Sequence, residues 1–256
     1  MAGLPITLLT DFGSTYTAAM KGRILSAAPD ARIVEISTKI PSHSVREGAF
    51  LLRSVVRHFP PAVHVGVVDP GVGTRRKGLI VKAGGAYLVG PDNGLLMPAA
   101  RALGKPEPFE ITKEFPGVSR TFHGRDLFAP VAARLSRGET PDEFGVPLGN
   151  PVDLDLDACE VSADLLTGEV LSVDGFGNVV TNIPAGAVAP HIRPGDRLGL
   201  HGKIVPFAAT YGEVDVHRPL VLVGSHDTVE IAVNQGSAAE TFRLKAGDRV
   251  QLKVVR

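Results

Sequence analysis

Between Pro5 and Asp69, two rhythms of apolar positions alternate along the chain. The unbroken runs PITLLT (Pro5–Thr10), ARIVEIS (Ala31–Ser37) and AVHVGVVD (Ala62–Asp69) predict buried strands. Between them, YTAAMKGRILSAA (Tyr16–Ala28) and SVREGAFLLRSVVRHF (Ser44–Phe59) repeat apolar residues at helical spacing. Pro29 stops the first of these helices and Pro60-Pro61 the second, for which Ser44 is the expected N-cap. A β-α-β-α-β order of this kind predicts a largely parallel sheet flanked by helices. In such sheets ligands sit beyond the carboxyl ends of the strands, the position held here by Asp11 and Asp69.

The rhythm then changes. LIVKAGGAYLVGP (Leu79–Pro91) reads as a hairpin turning at Gly84-Gly85, and Asp126–Leu135 as one more helix. Beyond Asp153 the chain becomes a series of short β-branched runs separated by turn dipeptides: GEVLSVD, NVVTNI, RLGL, KIVPF, PLVLVGS, TVEIAV and DRVQLKVV. That texture predicts an all-β barrel or sandwich. The expected architecture is an α/β N-terminal domain over 1–152, a linker over 153–157 within the stretch LGNPVDLDLD, and an all-β C-terminal domain over 158–256.

Composition narrows the function classes. The chain has 256 residues, 44% of them hydrophobic, and its 27 Lys+Arg balance 27 Asp+Glu. A neutral balance argues against nucleic acid as the main partner and gives no attraction to an anionic membrane surface. Cys159 is the only cysteine, so no internal disulfide forms, and a reducing cytoplasmic setting is expected. No basic stretch leads into a long apolar run near Met1, so neither a signal peptide nor a membrane-spanning helix is expected there. The 29 glycines and 20 prolines fit a fold with many tight turns.

Several short motifs could carry chemistry. Asp11, in LLTDFG, could accept hydrogen bonds from a ribose diol or could cap the following helix. In VVDPGVGTRRK, Asp69 precedes a turn made tight by Pro70, Gly71 and Gly73, followed by Arg75, Arg76 and Lys77. The stretch matches neither glycine-rich phosphate-loop pattern, and a plain surface turn remains open. TFHGRDLFAP sets His123 before a helix, where Arg125-Asp126 could be no more than a local ion pair. PDNG (Pro91–Gly94) is a turn that could also wall a pocket. VDGFGNVVTNI offers Asp174, an aromatic face at Phe176 and a two-sided amide at Asn178, or else a hairpin turn. VGSHDTVEIAV sets Ser225 and His226 between two strands, where backbone N–H groups could hold a carboxylate. Histidines, cysteines and acids do not cluster in the spacing of a metal site.

In order and spacing, TLLTDFG, VVDPGVGTRR, PDNG, TFHGRDLFAP, DGFGNVVTNI and VGSHDTVEIAV resemble the S-adenosyl-L-methionine hydroxide adenosyltransferase family, relatives of the fluorinases and chlorinases. The resemblance implies a substrate, S-adenosyl-L-methionine (SAM), whose ribose 5′ carbon is attacked by water or hydroxide to release adenosine and methionine, with no further cofactor. It implies a catalytic set of Asp69, Arg76 and His123; Arg76 is chosen over Arg75 because the family's arginine follows its aspartate by seven positions. Asp11 matches the ribose-diol carboxylate, with Phe12 beside it. Asp174 looks like the partner of the methionine ammonium, Phe176 and Asn178 resemble adenine contacts, and Ser225 matches a holder of the methionine carboxylate. His226 and Glu230 belong to the same implied substrate-binding set. The resemblance also implies a homotrimer with active sites between subunits. Halogenase relatives lack the Asp–Arg–His set and carry an extra loop, which makes hydroxide the expected nucleophile. A halogenase and a non-catalytic nucleoside-binding protein are the alternatives.

Overall fold

The computed structural model describes residues 3–255, and the chain divides after Leu154 into two compact units. The first is built on a seven-stranded sheet. Strands β1 (Ile6–Thr10), β2 (Ile33–Ser37) and β3 (Val63–Val67) alternate with helices α1 (Gly13–Ala27) and α2 (Val45–Val56). Strands β4 (Gly78–Ala83) and β5 (Ala86–Pro91) follow. Next come helix α3 (Met97–Leu103), strand β6 (Glu107–Ile111), helix α4 (Ala129–Ser136) and strand β7 (Gly145–Pro147). The spatial order is β2-β1-β3-β5-β4-β6-β7. Four neighbouring strands, β2-β1-β3-β5, run parallel, and β4, β6 and β7 extend the sheet antiparallel.

Burial explains the local choices. Every residue of β1 and β3 is buried, as a strand covered on both faces requires. In α1 the buried residues Thr17, Met20 and Ile24 recur at helical spacing, and in α2 Ala49, Phe50, Leu52 and Val56 do the same. Phe50, Phe128 and Phe144 are completely enclosed, each worth about 1.5–3 kcal/mol relative to an exposed ring. The hairpin turns at Gly84 and Gly85, both at positive φ, which a two-residue turn with the sheet's own twist demands. The helix expected from Tyr16 starts three residues earlier, and the one expected over Asp126–Leu135 is a single π-turn (Gly124–Phe128) continuing into α4. Ser44 does precede α2, but its hydroxyl bonds to Glu47 Oε2 at 3.3 Å and not to a helix N–H.

One core residue makes the first unit sensitive to pH. His64 is fully buried on β3; its Nδ1 meets Thr7 Oγ1 on β1 at 2.8 Å, while Nε2 has no hydrogen-bond partner among the described residues. Burial lowers its pKa from 6.5 to about 4. Above pH 6.5 the ring is neutral in both folded and unfolded chains, and stability is unaffected. Between pH 6.5 and 4 the unfolded chain takes up a proton that the fold excludes. That gap therefore removes about 3 kcal/mol over the window. Urea unfolding at pH 7 and pH 4 checks this: the parent should lose about 3 kcal/mol more than His64→Asn across the interval, and equal losses would contradict it.

The second unit is an antiparallel sheet with few helices. Its strands are β8 (Glu160–Val161), β9 (Leu165–Val173), β10 (Val179–Pro184), β11 (Arg197–Leu200), β12 (Lys203–Pro206), β13 (Pro219–Val223), β14 (Thr228–Val233) and β15 (Arg249–Val255). Two short helices, α5 (Ala185–Val188) and α6 (Ala238–Phe242), interrupt them. The order is β12-β11-β15-β9-β10-β14-β13, with β8 paired to β9. A bridge between Phe207 and Val221 draws the two ends together into a nearly closed barrel. Leu166, Val170, Val179, Ile231, Val250 and Leu252 fill its interior. Among the described residues no helix is long and apolar enough to cross a membrane.

Candidate active site

In the first unit, β1 and β3 pair in register with Thr10 opposite Val67, so Asp11 and Asp69 leave adjacent strands at their carboxyl ends. The chain beyond Asp69 doubles back tightly. Val72 N donates to Asp69 O at 3.3 Å, Thr74 Oγ1 to Gly71 O at 2.6 Å, and Arg76 N to Thr74 Oγ1 at 3.3 Å. Gly73 has φ 75°, and the carbonyl of Arg120 occupies the space a Cβ would need there. A side chain at Gly73 would hold the 119–123 segment away, and that segment ends in His123. Asn93, in the PDNG turn, anchors the far side: its Nδ2 donates to Val68 O at 2.8 Å and its Oδ1 accepts from Leu95 N at 3.2 Å.

This local folding brings Asp69, Arg76 and His123 into one hydrogen-bonded cluster. Arg76 Nε donates to Asp69 Oδ1 at 2.9 Å and Oδ2 at 3.0 Å, and Arg76 Nη2 donates to Asp69 Oδ2 as well. Nη2 also reaches His123 Nδ1 at 2.8 Å, and Nη1 donates to Lys77 O at 3.1 Å. Phe128 forms the floor. The guanidinium carbon lies 5.2 Å from its ring centre, and His123 meets it edge to face at 6.4 Å. Phe128 closes the π-turn that starts after His123, a deformation often found at functional positions. Burial, seconded by the charge of Arg76, lowers the pKa of His123; Asp69 and Asp126 act in the opposite sense. Arg75 is exposed and makes no side-chain hydrogen bond among the described residues, so of these two arginines Arg76 joins the cluster and Arg75 does not.

Asp11 does not cap α1, whose N-cap is Phe12 with no side-chain bond. Asp11 Oδ2 instead accepts His43 N at 2.9 Å, holding a residue with φ 67°. Phe12, Tyr16 and Phe122 stack edge to face at 5.5–6.2 Å and, with Ser119, Thr121 and Arg125, line a cavity of about 440 Å³. Arg125 forms the local ion pair anticipated with Asp126, at 2.7 Å. Asp92 is buried, accepts Val152 N at 2.8 Å, and has its pKa raised chiefly by desolvation.

In the second unit a separate cavity of about 620 Å³ gathers Asp174, Phe176, Asn178, Ser225, His226 and Glu230. Asp174 braces its own turn: Oδ1 accepts Phe176 N at 2.8 Å and Asn178 N at 2.9 Å, and Oδ2 accepts Asn178 Nδ2 at 3.0 Å. One donor of the Asn178 amide is thereby spent, which leaves its oxygen and one N–H for a ligand. Gly177 sits at φ 84° with Ser237 where a Cβ would be, and Phe176, at the tip of the turn, is 83% exposed. The β13–β14 turn that carries Ser225 and His226 closes through Gly224 N to Thr228 O at 2.9 Å. Two lining residues with polar side chains were not foreseen from sequence. Tyr211 donates its hydroxyl to Glu230 Oε1 at 2.6 Å, and Gln235 lies in a turn after β14. Burial raises the pKa values of both Glu230 and Tyr211. Among the described residues no group of three or more His, Cys, Asp or Glu is placed to hold a metal ion.

A mixed α/β unit with an acid–guanidinium–imidazole cluster at its strand ends, followed by a β-barrel unit with an acid-lined pocket, defines a two-part small-molecule enzyme. The family model for the SAM hydroxide adenosyltransferase N-terminal domain matches residues 6–145, and that for the C-terminal domain matches residues 168–251. The chain belongs to this family. It is 40% identical to the (R)-S-adenosyl-L-methionine hydrolase of Salinispora arenicola, covering 98% of this chain and 99% of that protein. A solved structure of a conserved protein from Thermotoga maritima superposes with a TM-score of 0.89 at 36% identity, over 97% of this chain and 99% of the other. A fluorinase from Nocardia brasiliensis is more distant, 28% identical over 97% of this chain and 96% of its own length.

Proposed function

We propose that this enzyme hydrolyses SAM to adenosine and L-methionine. Water attacks the ribose 5′ carbon in line with the sulfonium, the C5′–S bond breaks with its electron pair going to sulfur, and the proton of the water leaves to solvent. The observation that carries the reading is the Asp69–Arg76–His123 cluster, which offers a fixed cation and hydrogen-bonding groups to one solvent molecule. The sulfonium departs as a neutral thioether, so the protein's share is to aim and polarise the nucleophile; orientation of that kind supplies up to about 7–11 kcal/mol. Asp11, with one carboxylate oxygen uncommitted, would hold the ribose diol beside Phe12. In the barrel unit, Phe176 and Asn178 would take the adenine, Asp174 with Glu230 the ammonium, and Ser225 with His226 the carboxylate.

The Salinispora relative is an (R)-S-adenosyl-L-methionine hydrolase, and we extend that preference for the R form to this chain. We also place it in the cytoplasm as a homotrimer whose active sites form between one copy's N-terminal unit and a neighbour's C-terminal unit. The exposed rings of Phe176 and Tyr16 support such an assembly, because a second copy would cover apolar surface left open in one chain.

Reaction of each SAM epimer in oxygen-18 water, with mass spectrometry of the products, tests the reading. The label is expected in adenosine alone, and faster from the R epimer. A 5′-halogenated nucleoside formed with added chloride or fluoride would instead support the halogenase alternative. A thermal shift with adenosine but no methionine release would support a binding protein.

A further inference from the structure

We infer that His123 is a neutral imidazole locked as its Nε2–H tautomer, donating a hydrogen bond to the attacking oxygen, and that Asp69 takes the proton from the water; this rests on the hydrolysis proposed above. A guanidinium has five N–H donors, no acceptor, and stays protonated at any working pH. Arg76 Nη2 approaches His123 Nδ1 to 2.8 Å, a separation at which one atom must accept. Only Nδ1 can, so its lone pair faces Arg76 and the single ring proton sits on Nε2. Among the described residues no protein group accepts from Nε2, which leaves that N–H for a ligand.

The charged surroundings favour this state. From the β3–β4 loop, Arg76 meets the ring directly and Asp69 acts on it through its charge; Asp126, from the turn that follows, also acts through its charge, and Phe128 closes one edge. The balance of burial and the nearby guanidinium against the two carboxylates opposes the imidazolium. Both nitrogens are then closed to base catalysis, Nε2 because it is protonated and Nδ1 because its lone pair is held by Arg76. Asp69 differs. A carboxylate offers about four acceptor sites, and Arg76 occupies one direction at Oδ1 and two at Oδ2. In the step itself the O–C5′ bond forms, the C5′–S bond breaks toward sulfur, and the water proton passes to Asp69 and on to solvent.

The test is a long-range ¹H–¹⁵N spectrum of the full chain with ¹⁵N-labelled histidine. The signal of His123 among the eight histidines is identified by its loss in His123→Gln. At pH 7.5 the expected pattern is an unprotonated Nδ1 and a protonated Nε2. An Nδ1–H tautomer or an imidazolium would overturn the inference. This readout needs no turnover, so it stands apart from failure of the hydrolysis reading. Kinetics give a second arm. Gln keeps an N–H donor, so His123→Gln should lower kcat about tenfold where His123→Ala lowers it about 10²-fold. Equal losses of 10³-fold in both would mark His123 as the base.

Discussion

Replacing Arg76 by methionine is expected to lower kcat for SAM hydrolysis by roughly 10²–10⁴-fold while the dissociation constant of SAM changes only a few-fold. The side chains of Arg76 and Asp69 are 10% and 6% exposed, so this ion pair lies largely out of water. Removing the guanidinium leaves a nearly buried carboxylate without its counter-charge, which costs about 3–5 kcal/mol in comparable pairs. Asp69 is also left without the fork that orients it as an acceptor. His123 loses the contact that fixes its ring. Arg76→Lys should recover little, because one ammonium cannot reproduce a fork that serves Asp69 and His123 together. Arg75→Met, at the exposed neighbouring position, should stay within about twofold of the parent. Single-turnover kinetics with calorimetric binding separates these effects. An Arg76→Met enzyme with the parental kcat would remove the cluster from the reaction.

The parts of the structure legible in the sequence were those whose burial is one-sided or complete. Strands β1 and β3 are enclosed along their whole length, and their unbroken apolar runs announce it. The Gly84-Gly85 hairpin was legible because two consecutive positive φ values demand glycine. The elements that were not foreseen lie where the pattern is diluted. Strand β6 is only half-buried and contains Pro108, and β7 is three residues long at the sheet edge. Helix α3 starts at Met97-Pro98 after a turn and is seven residues long, too short to show a period. At the site, Asp69 and His123 were nameable as motif members, but their meeting depends on Gly73 letting the Arg120 backbone close in, a contact between segments 47 residues apart at their functional ends. Tyr211 had no motif at all. Its significance arises from a hydrogen bond to Glu230, 19 positions away on β14.

Asp174→Ala is expected to raise KM for SAM by roughly 10²–10³-fold with kcat at saturation changed less than about fivefold, the converse of the Arg76 result. Three donors rest on this carboxylate, at Phe176 N, Asn178 N and Asn178 Nδ2. A hydrogen bond to a charged group is worth about 1.5–3 kcal/mol, and losing three frees the turn that presents Phe176 and Asn178 to the cavity. Binding should suffer because the pocket loses its preformed shape and its charge together. On the proposed reading the chemical step is spared, because the Asp69–Arg76–His123 cluster is untouched by this substitution. Asp174→Asn separates the two contributions. Its oxygen can still accept from Phe176 N and Asn178 N, so the turn survives while the negative charge goes. If the carboxylate pairs with the methionine ammonium, Asp174→Asn should remain at least tenfold weaker in KM. If it merely braces the turn, Asn should restore binding to within about threefold of the parent, and the ammonium would then have to be read by Glu230, whose own replacement by Gln would carry the loss.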